Sequence, residues 1–282
     1  MADWLPTAEA THRNYHNNNA LRSFINLSRS IYEMANKIIE LKGAARYYEM
    51  GESIVKALDC IDVIIEKGDF VAIMGPSGSG KSTAMNLTGS LDLTTQGDIY
   101  LDGENIETLE ESELAQLRGK KIGFIFQQFN LIPNLTAKEN VALPMLFQGE
   151  DREHREERAE ELLELVELKD RMNFYPNQLS GGQQQRVAIA RSLANNPEII
   201  LADEPTGNLD TKTGRMVMDF LVKLNKKGTT IIIVTHDPEI AKTYARTIYS
   251  LRDGRVESLE KKTGGKWKSF KVPKCIINGQ EV

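Results

Sequence analysis

The sequence predicts an α/β fold: a parallel sheet covered on both faces, with a helical insert at about 130–178. Three observations carry this reading. The runs Ile199–Ala202 (IILA) and Thr230–Thr235 (TIIIVT) are short and almost wholly apolar or β-branched, as buried parallel strands are. They alternate with stretches of helical periodicity. The strand-like FVAIM leads straight into GPSGSGKST, a glycine-rich turn that opens a helix.

In chain order, residues 1–36 read as an extension. Thr11–Asn19 is polar. After Asn19, a candidate N-cap, the residues Leu21, Phe24, Ile25, Ile31 and Met34 recur at roughly helical spacing. Such an amphipathic helix packs on its own domain or docks on a partner or membrane surface. From Lys37 the texture changes. KIIEL, CIDVII, FVAIM and Gly97–Gly103 (GDIYLDG) read as strands separated by turn signals. Leu109–Leu117 and Arg152–Leu168 read as helices. The second mixes charges of both signs opposite an apolar side, the pattern of a solvated face with i,i+4 pairs. The main domain spans 37–260, and 261–282 is a basic tail with Trp267 and Phe270 among its lysines. That tail either packs on the domain or touches anionic headgroups.

Composition narrows the function. The chain has 282 residues, 40% hydrophobic, enough for a sizeable core. Its 35 bases and 40 acids give a net charge of −5, which argues against a dedicated nucleic-acid binder. The two cysteines, Cys60 and Cys275, belong to no local motif, so neither a disulfide framework nor a zinc site is expected. No apolar run approaches the roughly 20 residues of a membrane-spanning helix, and the first residues lack a secretory pattern. A cytoplasmic chain is expected.

The motif chemistry begins at Gly75. GPSGSGKST fits G-x-x-x-x-G-K-[ST], with Gly75, Gly80, Lys81 and Ser82 in the fixed places. Backbone N–H groups of Ser77, Gly78, Ser79 and Thr83 join them around a phosphate, Lys81 reaches the β- and γ-phosphates, and Ser82 holds Mg²⁺. The helix that follows adds its positive end. Strand IILA delivers Asp203 and Glu204 at its carboxyl edge, where ligands bind in doubly wound sheets. Asp203 supports the metal shell, and Glu204 orients or deprotonates water. Gln127 and His236 each follow a strand-like run. Gln127 is a candidate for Mg²⁺ or the attacking water, and His236 for sensing the γ-phosphate. Taken singly, each is equally a polar cap on a strand end.

Taken together, GPSGSGKST, Gln127, the Leu179–Gln183 run LSGGQ, ILADE, Asn208-Leu209-Asp210 and His236 occur in the order found in ATP-binding cassette proteins. The chain resembles the nucleotide-binding subunit of ABC transporters over about 37–260. The wording IGFIFQQFNLIPNLTAKENVALPM and NQLSGGQQQRVAIARSLANNP is most similar to the macrolide-exporter and lipoprotein-release group. The resemblance implies a RecA-like P-loop core with an antiparallel β subdomain and the helical insert. It implies Mg²⁺-dependent ATP hydrolysis with Glu204, His236 and Gln127 as catalytic residues and Ser82, Gln127 and Asp203 around the metal. Two cassettes would meet head to tail, with Ser180, Gly181 and Gly182 of one facing ATP on the phosphate loop of the other and Asp210 on the same boundary. Tyr48 would stack on adenine. A separate integral-membrane subunit, contacted through the insert and the region of Gln127, would hold the cassettes at the cytoplasmic face of a membrane and move a substrate, by export in this subgroup. The alternative is an ABC-type ATPase that regulates envelope remodelling or cell division without transport.

Overall fold

The computed structural model describes residues 36–51 and 53–272, with the backbone of 276–277 and 280–281. The helix expected after Asn19, Lys274 and Cys275 lie outside the described residues. Cys60 is disulfide-bonded, where the sequence led us to expect no disulfide framework.

The main sheet has seven strands. In chain order they are β3 (Phe70–Met74), β6 (Ile122–Ile125), β7 (Ile199–Asp203), β8 (Thr230–Thr235), β9 (Thr247–Arg252), β10 (Arg255–Thr263) and β11 (Lys266–Phe270). Their spatial order is β11-β10-β9-β3-β8-β7-β6. The pairs β9/β3, β3/β8, β8/β7 and β7/β6 are parallel, while β10 joins β9 and β11 antiparallel. Successive residues of the central strands face opposite cores. Phe70, Ala72, Ile200, Ala202, Ile231 and Ile233 enter one cluster. Val71, Ile73, Ile199, Leu201, Ile232 and Val234 enter the other. With both faces covered, neither set of alternating positions can be polar, and this explains the unbroken apolar runs.

A second sheet orders β1 (Lys37–Met50), β2 (Ser53–Glu66), β4 (Gln96–Leu101) and β5 (Glu104–Asn105) as β2-β1-β4-β5. It is antiparallel where β1 meets β4 and β4 meets β5. β1 and β2 run well beyond the short apolar stretches KIIEL and CIDVII. Their outer halves, carrying exposed Met50, Ile54 and Val55, have little apolar alternation to read.

Seven described α-helices complete the fold. They are α1 (Lys81–Thr88), α2 (Glu111–Lys121), α3 (Ala137–Phe147), α4 (Arg152–Leu165), α5 (Gly181–Ser192), α6 (Thr211–Lys226) and α7 (Pro238–Tyr244). The insert is α3 and α4. Thr136 and Glu139 form a reciprocal capping box that starts α3, and Asp151 caps α4. Ala159, Leu162 and Leu163 bury one side of α4 in the larger core. The helix also carries pairs of opposite charge, Arg152–Glu156 at 2.6 Å in the expected i,i+4 spacing and Arg158–Glu161 at 2.9 Å at i,i+3. Buried Asn140 on α3 binds backbone groups of Ile132, Leu135 and Thr136, fixing the segment that runs from Gln127 into the insert.

The boundary expected at 260 falls inside β10, and β11 extends the sheet to Phe270. Trp267 is partly buried against the core, with the ammonium groups of Lys242 and Lys262 over its ring at 4.7 and 5.7 Å. This first part of the basic segment therefore packs on the domain.

Candidate functional site

β3 ends at Met74 and the chain turns through Gly75–Gly80 into α1. A Cβ at Gly75 would collide with the Leu251 carbonyl and the Ser79 side chain, so this close approach admits glycine alone. Gly80 takes the N-cap position of α1 at φ 96° and supplies no side-chain cap, so the first N–H groups of the helix are left for another acceptor. Ser79 is buried and its Oγ has no hydrogen-bond partner among the described residues. Lys81 Nζ donates to the Pro76 carbonyl at 2.8 Å. Unfilled helix-end donors, an orphaned hydroxyl and a lysine held over the same turn suit a polyphosphate.

This turn forms one wall of a cleft of ≈ 950 Å³ that also holds Ser82, Thr83, Gln127, Asp203, Glu204 and His236. Ser82, Gln127 and Asp203 offer a hydroxyl, an amide and a single carboxylate. Such a sparse oxygen set fits Mg²⁺, which keeps water and phosphate oxygens as its remaining ligands. Burial raises the Asp203 pKa, the neighbouring Glu204 charge adds to the rise, and Lys81 opposes it. A cation beside Asp203 would reverse that balance.

Glu204 follows β7 with φ at 41°, an uncommon conformation for a residue with a side chain. Its amide donates to the Val234 carbonyl at 2.9 Å, and its own carbonyl accepts from the Gly207 amide at 2.9 Å. This turn swings the carboxylate between two other groups. Oε1 lies 2.7 Å from His236 Nδ1, and Oε2 accepts from Gln127 Nε2 at 3.4 Å. Three residues distant in sequence thus meet at one carboxylate because β6, β7 and β8 end side by side.

Ser180, Gly181, Gly182 and Asp210 lie elsewhere. They line a separate cleft of ≈ 600 Å³ that shares no lining residue with the phosphate-loop cleft. Ser180 caps α5: its Oγ accepts from the Gln183 amide at 3.3 Å, and Gln183 Oε1 accepts from the Ser180 amide at 2.8 Å. Asp210 caps α6 by accepting from the Lys212 and Thr213 amides, both at 3.0 Å, and its pKa is lowered by the Thr213 hydroxyl and amide. Tyr48 lies outside the residues lining the phosphate-loop cleft. Its hydroxyl donates to Asp92 at 2.9 Å and the Arg46 guanidinium stands 4.9 Å from its ring.

A model of the ABC transporter family matches residues 58–207. The uncharacterized ABC transporter ATP-binding protein MJ0796 of Methanocaldococcus jannaschii is 54% identical over 235 residues, covering 80% of this chain and 98% of that protein. This chain belongs to the ABC transporter family. The macrolide export ATP-binding/permease protein MacB of Bdellovibrio bacteriovorus is 50% identical over 224 residues, which are 79% of this chain and 34% of that longer protein. Among solved structures, a dimeric post-hydrolysis state of MJ0796 bound to ADP and Pi superposes with a TM-score of 0.75 at 52% identity, covering 80% of this chain and 99% of that one. The chain is the ATP-binding, ATP-hydrolysing cassette of an ATP-driven transporter and works with Mg²⁺. Its core is the P-loop NTPase fold.

Several contacts of this cassette escape sequence reasoning. The glutamines after Gly182 divide three tasks: Gln183 completes the cap, Gln184 donates to the Leu179 carbonyl at 3.1 Å, and buried Gln185 donates to the Pro205 carbonyl at 3.0 Å. Asn208 Nδ2 binds the Gln127 carbonyl at 2.9 Å. Val55, Lys56 and Ala57 of β2 line the phosphate-loop cleft. The glutamine run was the only sequence signal among these, and it gives no partner.

Proposed function

We propose that two copies of this cassette close head to tail over ATP and drive an exporter's membrane subunit. The observation that carries this reading is the separation, within one chain, of the phosphate-loop cleft from the Ser180–Gly182 cleft. A helix N-terminus with two glycines suits an anion, and in one chain that end has no phosphate loop opposite it. A second copy supplies one. The relative MJ0796 is described as dimeric, which supports the same assembly.

In the closed site, Gly75–Thr83 and Lys81 hold the phosphates. Ser82, Gln127 and Asp203 hold Mg²⁺, which when bound neutralises charge on the phosphoryl oxygens. Glu204 orients water and takes its proton, with His236 and Gln127 fixing the carboxylate from either side. Ser180, Gly181 and Gly182 of the second copy close on the γ-phosphate, with Asp210 on the boundary. Tyr48 serves the adenine end.

No helix among the described residues is long and apolar enough to cross a membrane. In this reading the cassette reaches the membrane through its partner, on the cytoplasmic face, as the likeness to an ATP-binding/permease protein supports. A groove of ≈ 480 Å³ between the insert and β6 is the place for that partner's cytoplasmic helix. It is lined by Gln116, Phe124, Phe126, Pro144 and Phe147, the last 69% exposed. Export follows the likeness to MacB, a macrolide export ATP-binding/permease protein. Co-purification of the membrane subunit and ATP-dependent transport in reconstituted vesicles test the reading. ATPase activity without any ATP-dependent transport would favour a regulatory cassette instead.

A further inference from the structure

Gln185 lies in the second turn of α5 and is 1% exposed. Its Nε2 donates to the Pro205 carbonyl at 3.0 Å, while its Oε1 is buried without a partner among the described residues. An apolar side chain of similar size would fill this space without burying an unpaired oxygen, so packing alone gives no reason for an amide here.

The two ends of this hydrogen bond serve different nucleotides. Pro205 directly follows Glu204, whose carboxylate faces the phosphate loop of its own chain. Gln185 is four residues past Gly181, on the helix whose N-terminus faces the partner's ATP in the head-to-tail assembly. Glu204 sits in a turn at φ 41°, a conformation that persists only where its surroundings hold it. A hydrogen bond to the next carbonyl is such a restraint.

We propose that Gln185 is a positioning residue that holds the catalytic turn of one ATP site in register with the signature helix of the other. When α5 moves against the partner's γ-phosphate, the bond carries that movement to Pro205 and so to the Glu204 turn. Hydrolysis in one site thereby becomes sensitive to closure of the second. This inference rests on the head-to-tail reading above.

Gln185→Met keeps the bulk and removes the donor, and Gln185→Leu is a second variant should the first fold poorly. Thermal melts and ATP titration of dilute monomer come first, and both are expected to stay near the parent because the phosphate loop is untouched. Turnover at saturating ATP should fall about tenfold with KM changed less than twofold. In a Glu204→Gln background, where hydrolysis is removed, the same substitution should raise the dissociation constant of the ATP-bound dimer about tenfold by sedimentation. Parent-like turnover, or unchanged dimerisation in that background, overturns the proposal, and so does a loss of monomer ATP affinity that matches the loss of turnover. Gly181→Asp in the same background separates the two ideas. If it leaves dimerisation intact, the head-to-tail reading has failed. If it abolishes dimerisation while Gln185→Met does not weaken it, the Gln185 link alone has failed.

Discussion

The Nδ1 atom of His236 lies 2.7 Å from Oε1 of Glu204, across the ends of two neighbouring parallel strands. This contact makes the carboxylate directional. One oxygen is engaged by the imidazole and the other by the Gln127 amide, which fixes the plane in which a water can be held.

Glu204→Gln keeps the side-chain shape and removes the proton acceptor. ATP affinity should stay within a few-fold of the parent while turnover falls by about 10²–10⁴. ATP should then accumulate as a trapped dimer of doubled mass in sedimentation. Parent-like turnover would remove Glu204 from the chemistry.

His236→Ala leaves the acceptor but frees its orientation. Turnover is expected to drop by about 10–100-fold, less than for Glu204→Gln, with nucleotide affinity in dilute monomer unchanged. Steady-state kinetics beside ATP titration check this. A loss of affinity with turnover retained would instead make the histidine a binding group.

Asp203 gives a pH signature. Burial raises its native pKa above the ordinary 3.8, so between those two values the folded chain retains a proton that the unfolded chain has released. Its contribution to stability therefore falls as pH rises through that window and is flat above it. Asp203→Asn should remove that slope and raise the nucleotide-free melting temperature at pH 7 by a few degrees at most, while weakening Mg²⁺-ATP binding. Melting curves across pH 3–7, an interval of about four units that brackets ordinary carboxylates, make the check. A lowered midpoint at neutral pH would contradict the assignment of burial as the cause.

Gly123 on β6 tests the packing that brings Gln127 to the site. A Cβ there would strike the Ser192 carbonyl at the end of α5 and approach Ile200 Cδ1 at 2.8 Å. Gly123→Ala should cost about 1–3 kcal/mol, because backbone and core must shift to admit the methyl group. Denaturant unfolding measures it. A neutral result would mean that β6 and α5 separate more easily than their contact indicates.

Much of this was legible in the residues, for identifiable reasons. β7 and β8 declared themselves because both their faces are buried and their side chains are apolar throughout. The phosphate loop was legible because Gly75 and Gly80 each occupy a position with no room for a side chain. The meeting of Gln127, Glu204 and His236 needed the strand order β8-β7-β6, which no local pattern encodes. β11 was hidden because Lys266, Lys268 and Lys271 look like a solvated tail, and its pairing with β10 is a non-local event. The bond from Gln185 to Pro205 was hidden because three adjacent glutamines carry the same chemistry, and only the helical turn decides which one faces inward.

The central claim is that the Ser180–Gly182 end of one chain serves the nucleotide on another. The most direct test is the ATPase rate of mixed dimers carrying Lys81→Ala and Gly181→Asp, placed either on different chains or together on one. In a head-to-tail dimer, lesions on different chains fall into the same site and leave the second intact, so that arrangement retains single-site turnover. Lesions together on one chain damage both sites, so that arrangement is inactive. The reverse pattern, with turnover only when both lesions share a chain, would show that the signature serves its own chain's ATP and would contradict the account.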